Sequence, residues 1–113
     1  MAVIQRIGRP DTHPYVIAWG RLTEEDEDRL RTGLADPGSL DATVDLREVE
    51  EVTDEGCGAI KSVAAQMNGH GQRMVVLYLP EREATRSLER TGLVDDDRIV
   101  FLASQDEPKA WAP

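Results

Sequence analysis

The sequence predicts a single α/β domain, with a mostly parallel sheet of four to five strands, an N-terminal edge hairpin and helices packed against the sheet. A length of 113 residues allows one hydrophobic core but not two ordinary domains. Apolar residues at 40% and charged residues at 31% are typical of a globular domain. Beyond the hairpin, short apolar runs alternate with stretches of helical length, which is the pattern of right-handed β-α-β crossovers.

Two apolar runs near the N-terminus predict the edge hairpin. They cover residues 3–7 and 15–19, and the residues between them include Gly8 and Pro10, which favour turns. The second run is rich in β-branched and aromatic side chains, which fit a pleated and half-buried surface.

A helix is predicted to follow the hairpin. Thr23 is a favoured N-cap residue, and Asp26 lies three residues later in a capping-box arrangement. The acids of residues 24–28 suit the positive end of the helix dipole, and we interpret them as a solvated first turn. Leu30 and Leu34 give the helix a narrow apolar stripe.

The rest of the chain alternates between buried strands and helices. We expect strands at residues 42–46, 74–79 and 99–102, helices at 55–68 and 81–91, and a last short helix at 105–111 that lays Trp111 against the sheet. Residues 1–113 therefore form one domain without a linker or internal repeat.

Charge and composition exclude several classes of function. The net charge of −9 argues against binding to nucleic acid, and no apolar run is long enough for direct membrane insertion. No glycine-rich phosphate loop is present, and the single cysteine and two histidines are too far apart in sequence to suggest a metal site, so we expect no cofactor and no metal. A lone cysteine, Cys57, fits a cytoplasmic protein and is expected to fill the core.

Candidate functional residues lie in the loop that leads into the second predicted helix. Thr53, Asp54 and Glu55 bring a hydroxyl and two carboxylates to the helix N-terminus, where backbone N–H groups lack helical partners. Such a position suits an anion or a phosphorylated side chain. Thr53 and Asp54 also fit a simpler role, because both residue types are favoured N-caps in any protein.

The same loop resembles a known family signature. Asp45-Leu46, six residues, and then Thr53-Asp54-Glu55-Gly56-Cys57-Gly58-Ala59-Ile60 are similar, without a gap, to the "DL…DSSGLGAL" core of the STAS domain of bacterial anti-sigma factor antagonists. The strand at 15–19 with its following Gly-Arg-Leu turn, and the Thr91-Gly92-Leu93 turn, extend the resemblance over residues 15–111.

The resemblance implies a non-enzymatic switch module that acts by protein–protein binding. Its partner would be an anti-sigma factor that is also a serine kinase of the histidine-kinase-like ATPase type. In the family, that kinase phosphorylates the first serine of the motif, and the added charge at the docking surface abolishes binding. Self-association is a further expectation.

The sequence departs from the family pattern at the phospho-acceptor. Asp54 stands at the acceptor serine position, Glu55 at the following serine and Thr53 at the preceding aspartate. Three interpretations remain open: a domain locked in a phospho-like state, a scaffold or sensor that phosphate never switches, or transfer of the acceptor role to Thr53.

The predicted partner surface combines this helix start with the preceding loop. An alternative function with the same fold is a non-switching accessory subunit that regulates a membrane transporter, or a signalling scaffold. The predicted partner-binding residues are Arg47, Glu48, Thr53, Asp54, Glu55, Gly56, Gly58 and Lys61.

A basic stripe on the next helix has two interpretations. Arg82, Arg86 and Arg90 recur every four residues, so they predict one helix face. That face is either solvated and paired with neighbouring glutamates, or a docking stripe for an acidic partner.

Overall fold

The structure of the protein is a computed structural model that describes residues 2–7, 13–36 and 38–103. The strands are β1 (Ala2–Ile7), β2 (Tyr15–Leu22), β3 (Asp41–Asp45), β4 (Val49–Val52), β5 (Arg73–Tyr78) and β6 (Ile99–Ala103). The helices are α1 (Glu27–Leu34), α2 (Asp54–Gly69) and α3 (Arg86–Arg90), with short 3₁₀ turns at Glu24–Asp26, Glu83–Thr85 and Leu93–Asp95.

All six strands of the described residues belong to one sheet. The strand order is β1-β2-β3-β5-β6, and β4 pairs with the far end of β2. β1 and β2 are antiparallel, and the other strand pairs are parallel. The predicted α/β class, with its N-terminal edge hairpin, is confirmed.

Alternation along the strands separates two apolar faces. Val16, Val44 and Val76 are fully buried on the face that packs against Leu30, Ile60 and Leu88 of the three helices. Removing each such side chain from water stabilises the fold by about 1.5–3 kcal/mol. The opposite face carries a smaller cluster of Tyr15, Ile17 and Leu77, with Trp19 packed against it.

The acidic turn before α1 differs from the prediction at one residue. Thr23 caps the turn, and Asp26 completes the capping box by accepting from the Thr23 N–H at 2.9 Å. The Asp26 side chain is fully buried rather than solvated, because it also accepts from the Ala2 N–H and pairs with Arg29. This carboxylate therefore joins β1 to the start of α1.

The strand β4 was not expected. The loop that the sequence predicts ahead of the second helix, from Arg47 to Thr53, contains this strand. In the structure, Val49 and Val52 are buried, with two exposed glutamates between them. The segment pairs with the C-terminal end of β2, beyond the residues that pair with β3.

The helix predicted at residues 81–91 is shorter than expected. Only Arg86–Arg90 is α-helical, because the preceding residues form a turn in which the Thr85 hydroxyl donates to the Leu79 carbonyl at 3.1 Å. The helix predicted at 105–111 lies outside the described residues. In the described part of the chain, no helix is long and apolar enough to cross a membrane.

We expect Asp26→Ala to lower the free energy of unfolding by about 2–4 kcal/mol, because it leaves two backbone N–H groups and Arg29 without their buried acceptor. Urea denaturation measures the change. Asp28→Ala is the matched control, since the Asp28 side chain is 89% exposed and its pair with Arg31 is a surface pair. Equal stability of the two variants would contradict the role of Asp26.

Candidate functional site

The N-terminus of α2 is fixed to the end of β2 by one carbonyl group. The Leu22 carbonyl accepts from the Thr53 backbone N–H at 3.0 Å and from the Thr53 hydroxyl at 3.2 Å. The same hydroxyl accepts from the Gly56 N–H at 2.9 Å and so forms the N-cap. The Thr53 hydroxyl therefore both donates and accepts a hydrogen bond within the fold.

The two glycines of the predicted surface have different surroundings. Gly56 is buried, and a Cβ at this position would overlap the Leu22 carbonyl. Gly58 is exposed, and a Cβ there would meet no atom within 4 Å outside the backbone of its own helix. Gly56 thus allows the helix to approach β2 closely, while Gly58 leaves a side-chain-free patch on the first turns of α2.

Asp54 is exposed and is paired within the chain. Its carboxylate accepts from the guanidinium of Arg90 at the end of α3, and the two side chains are 56% and 58% exposed. The hydrogen bond and the charge of Asp54 raise the pKa of Arg90 above its ordinary value. Position 54 therefore carries an exposed carboxylate that is paired with a neighbouring cation, with Glu55 exposed beside it.

Arg82 fixes the segment that precedes α2. Its guanidinium donates to the Arg47 carbonyl and, at 3.0 Å, to the Val49 carbonyl. Glu48 lies between these two bonded residues and is exposed. The conformation that presents Glu48 thus depends on a side chain from the α3 side of the domain.

Arg47 itself points away from the exposed surface. It is buried, and its side chain donates twice to the Asp45 carboxylate at 3.0 Å. Tyr15 donates to the same carboxylate at 2.7 Å. The three groups form a buried network on the sheet face opposite the helices.

All three pKa values in this network are shifted, and the hydrogen bond to Asp45 raises the pKa of Arg47. Burial alone raises the pKa of Asp45, but the hydrogen bonds from Arg47 and Tyr15 outweigh it, so the pKa of this carboxyl lies below its usual value. Burial, followed by the hydrogen bond to Asp45 and its negative charge, raises the pKa of the Tyr15 hydroxyl well above its usual value.

A shallow groove of about 390 Å³ runs along the start of α2. Asp54, Gly58 and Lys61 line one side, and the turn from Thr91 to Asp96 lines the other. Cys57 lies at its base and is buried, as predicted for a core residue, with its thiol 3.5 Å from the hydroxyl of Ser87. Among the described residues, no group of three His, Cys, Asp or Glu side chains could hold a metal ion.

The structure brings the predicted partner-binding residues to one end of the sheet, with different exposure. Glu48, Asp54, Glu55, Gly58 and Lys61 are exposed, Thr53 is partly buried, and Arg47 and Gly56 are buried beneath them. From their spacing alone, Arg82 and Arg90 were expected on a solvated or docking stripe, and no local pattern connects Tyr15 with the site. Their partners are distant in sequence, so no local pattern could show the contacts.

Substitution by alanine should have opposite effects on stability at the two glycines. We expect Gly56→Ala to destabilise the fold by about 1–3 kcal/mol, because the new methyl group overlaps the Leu22 carbonyl. Gly58→Ala is the matched control in the same helix, and we expect it to be neutral or stabilising by up to about 1 kcal/mol. Thermal and urea unfolding measure both, and equal effects would contradict the close approach at Gly56.

The raised pKa of Tyr15 predicts a loss of stability in alkali. The unfolded tyrosine ionises near pH 10, while the folded one stays protonated. The contribution of Tyr15 to the free energy of unfolding is therefore complete below pH 10 and falls as the pH rises. The stability of the unsubstituted chain relative to Tyr15→Phe should fall by about 1 kcal/mol between pH 10 and pH 11. Urea unfolding of both proteins at each pH measures the difference, and a constant difference would contradict the shift.

No family model and no curated protein matches the chain. Solved structures do match it. The chain is similar to the unphosphorylated form of the anti-sigma factor antagonist SpoIIAA, with a TM-score of 0.61 and 13% identity, over 96% of this chain and 93% of that one. It is also similar to a DUF3478 family protein with a SpoIIAA-like fold from Shewanella loihica, with a TM-score of 0.52 and 17% identity, over 97% and 92%. The fold implied by the STAS resemblance is therefore confirmed: this chain has a SpoIIAA-like fold.

Proposed function

We propose that the chain is a non-enzymatic, cytoplasmic protein-binding module that acts as an anti-sigma factor antagonist without control by phosphate at position 54. Its partner is an anti-sigma factor of the histidine-kinase-like ATPase type. The SpoIIAA-like fold supports this class of function. The single observation that carries the rest is the exposed Asp54–Arg90 pair at the N-terminus of α2.

The Asp54–Arg90 pair favours an unswitched state over a phospho-like one. A phosphate would add about −1.5 to −2 charges at neutral pH, whereas Asp54 adds about −1. Arg90 offsets that charge at hydrogen-bonding distance. The local charge at position 54 is thus closer to that of a neutral side chain than to that of a phosphate.

Thr53 is a poor substitute for the missing acceptor. Its hydroxyl donates to the Leu22 carbonyl and accepts from the Gly56 N–H, so phosphorylation would break the bond to β2 and disturb the N-cap of α2. We therefore expect no added phosphate when the purified chain is incubated with ATP and the candidate kinases. Intact mass measures this directly, and a phosphate on Thr53 would contradict the proposal.

The proposed partner surface is continuous and rigidly held. Glu48 stands on a segment held by Arg82, while Asp54, Glu55 and Gly58 occupy the first turns of α2. The absence of a side chain at Gly58 permits close approach of the partner backbone.

Charge inversion at position 54 tests the surface. We expect Asp54→Lys to weaken partner binding at least about tenfold, or about 1.4 kcal/mol, because it places a second cation beside Arg90. The thermal midpoint should stay nearly unchanged, since both side chains are more than half exposed. Asp28→Lys makes the same charge change at an exposed position on α1 and serves as the control. Calorimetry against the co-purified ATPase measures affinity, and unaltered affinity of Asp54→Lys would rule out this surface.

Removal of the counter-charge distinguishes the interpretations of Asp54. If Arg90 keeps the site unswitched, Arg90→Gln should expose an unpaired carboxylate and weaken binding, and adding Asp54→Asn should restore it. If Asp54 already locks a phospho-like state, Arg90→Gln should have little effect on partner binding.

Co-purification of the chain with a transporter ATPase, rather than with an anti-sigma factor, would favour the accessory-subunit alternative.

A further inference from the structure

The hydrogen-bonding direction of β2 determines which groups of β1 face outward. The Thr43 N–H donates to the Pro14 carbonyl at 2.8 Å, so even-numbered residues of this segment direct their backbone groups toward β3. Odd-numbered residues of β2 must therefore bond to β1. Because Gln5 lies opposite Ile17 in the register, odd-numbered residues of β1 face β2 and even-numbered ones face away.

One end of this outer edge is closed. The outward N–H of Ala2 donates to the Asp26 carboxylate at 3.2 Å, and the outward carbonyl accepts from Arg29 at 2.7 Å. The outward backbone groups of Ile4 and Arg6 bond to no residue in the described part of the chain. The open edge is thus a short stretch centred on Gln5.

The exposed apolar side chains of β1 are placed symmetrically about Gln5. Val3 and Ile7 lie two residues before and after Gln5, on one face of the strand, and are 62% and 41% exposed. The strand contains no acid, although the chain carries 22. Its one charged residue, Arg6, is paired with Asp36. Two copies could therefore bring these edges together with little local repulsion between like charges.

We propose that the outer edge of β1 binds the β1 edge of a second copy of this chain, antiparallel and about a two-fold axis through Gln5. In this register Ile4 lies opposite Arg6 of the other copy, and the two exchange both backbone hydrogen bonds. Val3 lies opposite the other copy's Ile7, so the exposed apolar side chains form two identical cross-strand contacts. The two sheets become continuous.

The closed end at Ala2 keeps this interface short. Interfaces well below the standard size give weak complexes, so we expect a reversible dimer with a dissociation constant on the order of 0.1 mM. The interface does not involve α2 or the proposed partner surface, and its test does not depend on the proposed function.

A matched pair of substitutions at Arg6 tests the backbone contact. Arg6→Pro removes an outward N–H and leaves the bonds to β2 intact, which an edge strand tolerates. Arg6→Ala loses the same ion pair with Asp36 but keeps the N–H. In sedimentation equilibrium of the purified chain, we expect at least a tenfold weaker dimer for Arg6→Pro than for Arg6→Ala. Circular dichroism checks that both variants are folded.

A second pair of variants tests the register. V3E/I7E places like charges opposite each other and should leave the chain monomeric, whereas V3K/I7E pairs opposite charges across the axis and should retain the dimer. A chain that stays monomeric up to about 1 mM would overturn the proposal, as would a dimer that Arg6→Pro leaves intact. Equal loss of the dimer in V3E/I7E and V3K/I7E would overturn the register.

Discussion

The contact between the Leu22 carbonyl and the start of α2 is the constraint on which the site depends. This carbonyl accepts from both the backbone and the side chain of Thr53, and only a glycine at position 56 leaves room for it. The contact sets the position of the first turn of α2 relative to β2. Every exposed group on that turn, including Asp54, takes its place from this junction.

Two arginines from the last third of the chain complete the arrangement. Arg82 bonds to the backbone on either side of Glu48, and Arg90 offsets the charge of Asp54. The two guanidiniums have different roles, because one holds a backbone segment and the other pairs with an exposed carboxylate. The short helix α3 and its preceding turn therefore act on the proposed partner surface from the side.

The fold was largely predictable because its main signals are local. Apolar runs and turn residues identified the hairpin, three of the remaining strands and α2, and Thr23 marked the start of the first helical segment. The strand β4 was missed because its burial depends on pairing with β2, and its two adjacent glutamates hide the pattern. The solvated interpretation of Asp26 was wrong because its buried partner, Ala2, lies in a different element.

The candidate site was only partly predictable, for a related reason. The motif located Thr53 and Asp54 at a helix N-terminus, and the structure places them there. The sequence could not show that Arg90 reaches Asp54 or that Arg47 turns inward to Asp45, because these contacts depend on tertiary packing. The tertiary fold therefore determines which residues of the motif are exposed and which are buried beneath the surface.

The order of the strands has a consequence for how the chain folds while it is being synthesised. Apart from β4, each strand joins the sheet beside the one made before it, from β1 to β6. A nascent chain can therefore extend its sheet during synthesis, with each finished strand serving as the template for the next. Until β5 is made, the unpaired edge of β3 is exposed, and during translation that edge is where neighbouring nascent chains can aggregate.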